Sequence, residues 1–310
     1  MEPHKHNHSH SHTHGVIDPS IVANERGLWV VKWSFIALIA TALFQVVIVI
    51  ATGSVALLAD TIHNFADAAT AIPLAIAFMF AKRKPNKRFN YGYGRVEDLA
   101  GVVVVFIILF SALFAGYQAI QRFFHPQPIT HLKALACASV IGFLGNEGVA
   151  LFRIKVGKQI GSAALIADGY HARTDGWTSL AVLVGAMGAW LGFPLADPII
   201  GLLISVAIFY IVFDSAKSIF MRMLDGVDAE VLEQIEHAVG HVAGVVRLGS
   251  TKARWSGHRL LVEISITVAC EVSVGQGHKI ANEVREELFG HLPHLGDVIV
   301  HVDPAGEGCA

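Results

Sequence analysis

Two stretches of this chain place a histidine and an aspartate four residues apart inside an apolar run: His63 with Asp67, and His171 with Asp175. At i and i+4 on a helix, two side chains lie one turn apart on the same face. Such pairs on two neighbouring helices would offer two imidazole nitrogens and two carboxylate oxygens. Four N/O ligands in a tetrahedron suit Zn²⁺, with bonds of roughly 2.0–2.2 Å. Ca²⁺ and Mg²⁺ prefer six or more oxygens, so two imidazoles argue against them. Co²⁺, Cd²⁺, Mn²⁺ and Fe²⁺ stay open, because affinity order alone does not set selectivity in a cell.

The two pairs belong to a repeat. Ser54-Val-Ala-Leu-Leu-Ala-Asp60-Thr-Ile-His63-Asn-Phe-Ala-Asp67 aligns with Ser162-Ala-Ala-Leu-Ile-Ala-Asp168-Gly-Tyr-His171-Ala-Arg-Thr-Asp175, 108 positions on. Each copy puts its pair near the middle of an apolar segment. An ionisable group at the centre of a bilayer costs at least ~2.5 kcal/mol unless it is paired, so these six groups are read as functional. Asp60 and Asp168 precede the histidines by three residues. They are expected to orient the ligating histidines from behind, or to line the access path.

The positioning elements follow from composition. Of 310 residues, 54% are hydrophobic and only 15% charged, whereas soluble domains carry about a quarter charged. Apolar runs at 28–50, 54–81, 99–120, 134–152, 162–191 and 198–213 predict six transmembrane helices of about the 20 residues a span needs. Lys82, Arg83, Lys84, Lys87, Arg88 and Arg95, with Arg153, Lys155, Lys158, Lys217 and Arg222, collect on one side, against Arg122 and Lys133 on the other. That bias predicts both termini in the cytoplasm. A net charge of −2 gives no basic face for nucleic acid. Cys137, Cys270 and Cys309 are scattered and are expected to be structurally incidental.

Beyond Met223 the pattern changes. A helix at 225–241, strands at 245–254 and 258–268, a helix at 277–289 and a strand at 297–302 predict a small α+β domain of αββαβ order, its helices on one face of a mixed sheet. The expected division is a His-rich disordered tail at 1–25, a transmembrane domain at 26–224 and a soluble domain at 225–310. In the tail, His4, His6, His8, His10, His12 and His14 alternate with polar residues, a composition suited to low-affinity metal capture.

Paired His-x-x-x-Asp motifs in the second and fifth of six spans, followed by a small αββαβ domain, resemble the cation diffusion facilitator family from about Arg26 to Pro304. The resemblance implies a ferredoxin-like cytoplasmic domain and a proton-coupled exporter working as a homodimer. It assigns the transport site to His63, Asp67, His171 and Asp175, with zinc as the usual substrate. His301-Val-Asp303-Pro304 and His278 resemble the family's regulatory metal ligands, while Gly249 and Ser265 stand where it carries two further histidines. In the loop after the second span, Phe89 and Tyr93 occupy positions that are histidine in some members. Arg95 matches a basic residue that pairs with an acid below the sixth span, here Asp225.

The sequence thus predicts a proton/Zn²⁺ antiporter, not an enzyme, in a bacterial inner membrane. Imidazole binds metal only when neutral and carboxylate only when ionised, so loading releases protons and protonation expels metal. The rival readings are an intramembrane zinc hydrolase, which would keep an open coordination position and for which no HExxH motif is present, and a metal sensor that never transports. Asn146 and Glu147 in the fourth run are read as cavity-lining or as partners of Arg173, an ordinary helix–helix contact.

Overall fold

The computed structural model describes residues 19–52, 65, 68–124, 132–193 and 195–306. His63, Asp67 and Asp60, and the histidine-rich tail, lie outside the described residues. The helices of the first part are α1 (Pro19–Thr52), α2 (Ala71–Ala81), α3 (Arg95–Phe124), α4 (Leu132–Ile160), α5 (Ala163–Trp190) and α6 (Ala196–Met223).

Four of these are long and apolar enough to cross a membrane, over Val22–Ile48, Arg95–Gln121, Ala136–Ile160 and Ile199–Met223. Twenty-seven residues span roughly 40 Å at 1.5 Å each, against a hydrocarbon core of about 30 Å. Their outward faces are apolar as well: Phe106, Phe110, Leu113, Leu203, Val206 and Phe213 are all exposed. A soluble protein rarely shows a contiguous face of this kind. A lipid-facing surface requires it.

α5 is as long but carries Asp168, Arg173 and Asp175. It packs against α3, α4 and α6, so these charges meet protein. Helices α4 and α6 overrun the ends expected at 152 and 213, reaching Ile160 and Met223. The apolar run marks only the hydrocarbon depth; the backbone stays helical through Lys155, Lys158 and Lys217 because nothing interrupts its i→i−4 bonds.

The C-terminal domain contains α7 (Ala229–Gly240), β1 (Val245–Ser256), β2 (Arg259–Val268), α8 (Val274–His291) and β3 (Leu295–Pro304), the expected αββαβ order. The sheet order is β1-β2-β3, with β1 antiparallel and β3 parallel to β2. Leu260, Val262, Ile264 and Ile266 alternate inward and pack with Ile235, Val239, Val284 and Leu288 of the two helices. The first helix starts at Ala229, not at 225: Asp225 has φ 61° and Asp228 is extended at the N-cap. The cysteine expectation needs one correction. Cys137 is free and exposed, but Cys270 is disulfide-bonded, a proximity that sequence spacing does not reveal.

Candidate metal site

The repeat motif has a structural logic that begins at its serine. Gly161, at φ 72°, ends α4 in the left-handed conformation a helix stop favours. The next residue, Ser162, caps α5, its Oγ accepting from the Leu165 amide at 3.1 Å. Counting from this fixed start, His171 lies roughly 12 Å and Asp175 roughly 18 Å along the axis. Both depths fall near the middle of a core about 30 Å thick.

His171 and Asp175 are buried, at 1% and 5% exposure. The Nδ1 of His171 lies 3.4 Å from Oδ2 of Asp175. A tetrahedral ion with bonds of 2.0–2.2 Å keeps its ligand atoms about 3.4 Å apart, so the i,i+4 geometry already provides one edge of that tetrahedron. The neighbouring hydroxyls are occupied within the helix. Thr174 donates to the His171 carbonyl at 2.6 Å and Thr178 to the Asp175 carbonyl at 2.8 Å.

Asp168 does something the sequence reading missed. One carboxylate oxygen faces the Arg153 guanidinium of α4 at 2.7 Å, and the other accepts from Thr70 Oγ1 at 2.9 Å. Arg153 and Asp168 are 1% and 0% exposed. Arg153, grouped by sequence with the cations of one membrane side, is instead an internal cation. Its signal was its place between Phe152 and Ile154 in an apolar segment. Helices α4 and α5 approach closely here, since a Cβ on Gly169 would stand 2.7 Å from Ile154 Cγ1 and 3.0 Å from its amide nitrogen. The ion pair is thus set between two tightly packed backbones. A second pair joins the same helices, Arg173 donating to both oxygens of Glu147 at 3.2 and 2.8 Å. This is the helix–helix partner expected for Glu147; Asn146 is buried beside it in sequence.

The other candidates divide. His301 Nε2 and Asp303 Oδ1 are 2.9 Å apart on β3, while His278 contacts Asn282 at 3.2 Å within α8. Gly249 and Ser265 are neighbours across β1 and β2, where a Cβ on Gly249 would collide with Ser265 Oγ. Among the described residues, the trio whose ligand atoms lie within 4.8 Å of one another is His241, Glu287 and His291. No sequence pattern had separated these from the other exposed histidines of this domain.

The C-terminal domain is tied to the helices by a polar junction. Arg95 pairs with Asp225, as the resemblance implied, and donates to the Met223 carbonyl at 3.1 Å. The turn between β1 and β2 sits on the N-terminal end of α3. There Asp98 accepts from the Gly257 amide at 3.1 Å and Glu97 meets His258 Nδ1 at 2.7 Å. Arg222 stacks over Trp255 at 4.2 Å and donates to the Gly161 carbonyl at 2.7 Å. Burial, then the neighbouring His258 and Arg222, push the His294 imidazole below its usual range.

Fold and site together define a polytopic α-helical membrane protein with an acid–imidazole pair held inside its helix bundle. Comparison with known proteins gives that class its family. The cation efflux transmembrane domain matches residues 31–224, and the cation efflux protein cytoplasmic domain matches residues 227–305. A probable cation efflux system protein of Mycobacterium tuberculosis is 50% identical over 292 residues, covering 94% of this chain and 88% of that one. The manganese efflux system protein MneP of Bacillus subtilis is 27% identical, covering 91% and 99%. The magnetosome protein MamB of Magnetospirillum gryphiswaldense is 26% identical, covering 89% and 93%. A solved cadmium form of the MamM CTD is 26% identical with a TM-score of 0.25, over 25% of this chain and 98% of that one.

The chain belongs to the cation diffusion facilitator family. It is an integral membrane protein and a cation efflux transporter, in a family of transporters rather than enzymes.

Proposed function

We propose that this protein is a proton-coupled antiporter exporting Zn²⁺, with Co²⁺ and Cd²⁺ as further substrates, through a tetrahedral site of His63, Asp67, His171 and Asp175. The observation that carries this reading is the buried His171–Asp175 pair, 3.4 Å apart on α5, together with its repeat at the same spacing in residues 54–67. Asp168, held by Arg153 and Thr70, acts as a fixed post two turns before Asp175 rather than as a ligand.

The mechanism follows from the ligands. Neutral imidazole and ionised carboxylate load the ion from the cytoplasm with release of protons, and protonation on the far side expels it. Six spans carry the site, in a homodimer in a bacterial inner membrane with both termini cytoplasmic. The histidine-rich segment expected to run to residue 25 gives way to α1 at Pro19 and serves as a metal-capturing tail; 26–224 is the transport domain and 225–310 the regulatory domain. His278, His301 and Asp303 are regulatory ligands in that last part, and the 2.9 Å contact of His301 with Asp303 supports pairing of two of the three.

Metal-driven proton flux in sealed proteoliposomes tests the reading. Zn²⁺ is expected to move protons in the intact protein, with Co²⁺ and Cd²⁺ following; Mn²⁺ and Fe²⁺ belong in the panel because a relative exports manganese. Asp175→Ala is expected to abolish the flux. Tight binding of metal by the intact protein without any flux would overturn transport, and a Mn²⁺-first order would overturn zinc.

A further inference from the structure

Helices α7 and α8 pack side by side on the sheet, and each ends on a pair of metal-binding side chains one turn apart. At the end of α7 stand His237 and His241; at the end of α8 stand Glu287 and His291. The His237 and His241 rings are 4.3 Å apart, and that of His291 lies 6.0 Å from His241 and 6.2 Å from His237. Between them, Glu287 Oε1 lies 3.8 Å from Nδ1 of His241 and 3.4 Å from Nδ1 of His291.

The geometry points to a divalent-metal site on the C-terminal domain, formed by His241, Glu287 and His291 with His237 as the fourth ligand. One ligand atom from each of the first three already lies within 4.8 Å of the others. Closing to the ligand spacing of about 3.4 Å that a tetrahedral ion demands requires shifts of only an ångström or so. The side chains can make them, since His241, Glu287 and His291 are 51%, 37% and 39% exposed. Both helices also present their C-terminal ends, His241 being the C-cap of α7 and His291 the last residue of α8. The negative end of each macrodipole favours a cation there. Three imidazoles and one carboxylate select Zn²⁺, Co²⁺ or Ni²⁺ over Mg²⁺ and Ca²⁺.

This site is separate from His301 and Asp303. In β3, Val298, Val300 and Val302 pack toward the helices, so the intervening His301 faces the other side of the sheet. An ion bound at the helix ends would pin the C-terminal end of α7 to that of α8.

The test is binding of Co²⁺ to the full chain in detergent, read by equilibrium dialysis and by the visible d–d absorption of four-coordinate cobalt. Working in the Asp175→Ala chain keeps the result independent of the antiporter reading. Adding His241→Ala with His291→Ala is expected to remove one bound ion per protomer and its share of the absorption. Glu287→Gln, which keeps the side-chain shape, is expected to weaken Co²⁺ at the same site about tenfold or more, in line with the loss of a ligand or its close partner. Unchanged stoichiometry and spectrum in the double variant would overturn the site. A loss of one ion in the double variant alongside unchanged affinity in Glu287→Gln would overturn the carboxylate's place in it.

Discussion

Asp168 sits between Thr70 and Arg153 with no exposure to solvent, so its charge is balanced within the protein rather than by water. Removing one member of a buried ion pair leaves an uncompensated charge, typically a loss of about 3–5 kcal/mol, whereas replacing both by apolar groups of similar volume is often near neutral. Arg153→Met is therefore expected to destabilise the helix bundle by about 3 kcal/mol, read as a lowered thermal midpoint in detergent. Arg153→Met with Asp168→Leu together should recover most of that loss. If the double variant is no more stable than the single, the pair acts through something other than its mutual charge. The proposed transport ligands are read by function: Asp175→Ala is expected to abolish metal-driven proton flux.

At the scale of elements, the tight turn between β1 and β2 is one of the contacts that hold the C-terminal domain against α3. Gly257 has φ 61°, and a Cβ there would stand 2.7 Å from the Gly94 carbonyl oxygen and 2.8 Å from Glu97 Oε2. A left-handed backbone costs an L-residue roughly 1–2 kcal/mol before any clash is counted. Gly257→Ala is thus expected to weaken the docked arrangement by at least about 1 kcal/mol and to raise hydrogen exchange at the amides of residues 94–98. Exchange there that stays at the wild-type rate would show that the turn does not hold α3. The acidic first turn of α3, with Glu97 and Asp98, suits a helix N-terminus. Both carboxylates nevertheless take partners from the turn, Glu97 the His258 ring and Asp98 the Gly257 amide, and so join two domains.

At the scale of the molecule, the junction between domains responds to pH. His294, with φ 70°, lies against Gly161 and near Trp255, His258 and Arg222. Burial lowers its pKa first, and the charges of His258 and Arg222 lower it further. The docked state therefore holds this ring neutral at a pH where a freely solvated histidine, titrating near 6.5, has gained a proton. Between that lowered value and about 6.5 the undocked state binds more protons. The His294 contribution to docking is thus fully present above about 6.5 and is lost as pH falls through the window, with no further loss below the lowered value. Tryptophan fluorescence followed from pH 7.5 to 5.5 should report loosening around Trp255. His294→Asn, which tolerates positive φ, should flatten the response, and an identical profile in that variant would assign the effect to another group.

The sequence by itself determined the four long apolar spans and the αββαβ order, because each rests on local periodicity. A helix pairs residues three and four apart whatever surrounds it, and a strand alternates its faces. Hence His171 and Asp175 could be matched from spacing alone, and Leu260, Val262, Ile264 and Ile266 assigned to one buried face. Even Arg95 with Asp225 could be anticipated, through the family pattern. Only the tertiary structure decided which helix ends meet. It drew Arg153 inward to Asp168, set His258 on Glu97, and gathered His237, His241, Glu287 and His291 from two helices some fifty residues apart. Those partnerships depend on how whole elements pack and on which charges the packing cuts off from water, and no local period in the chain encodes that.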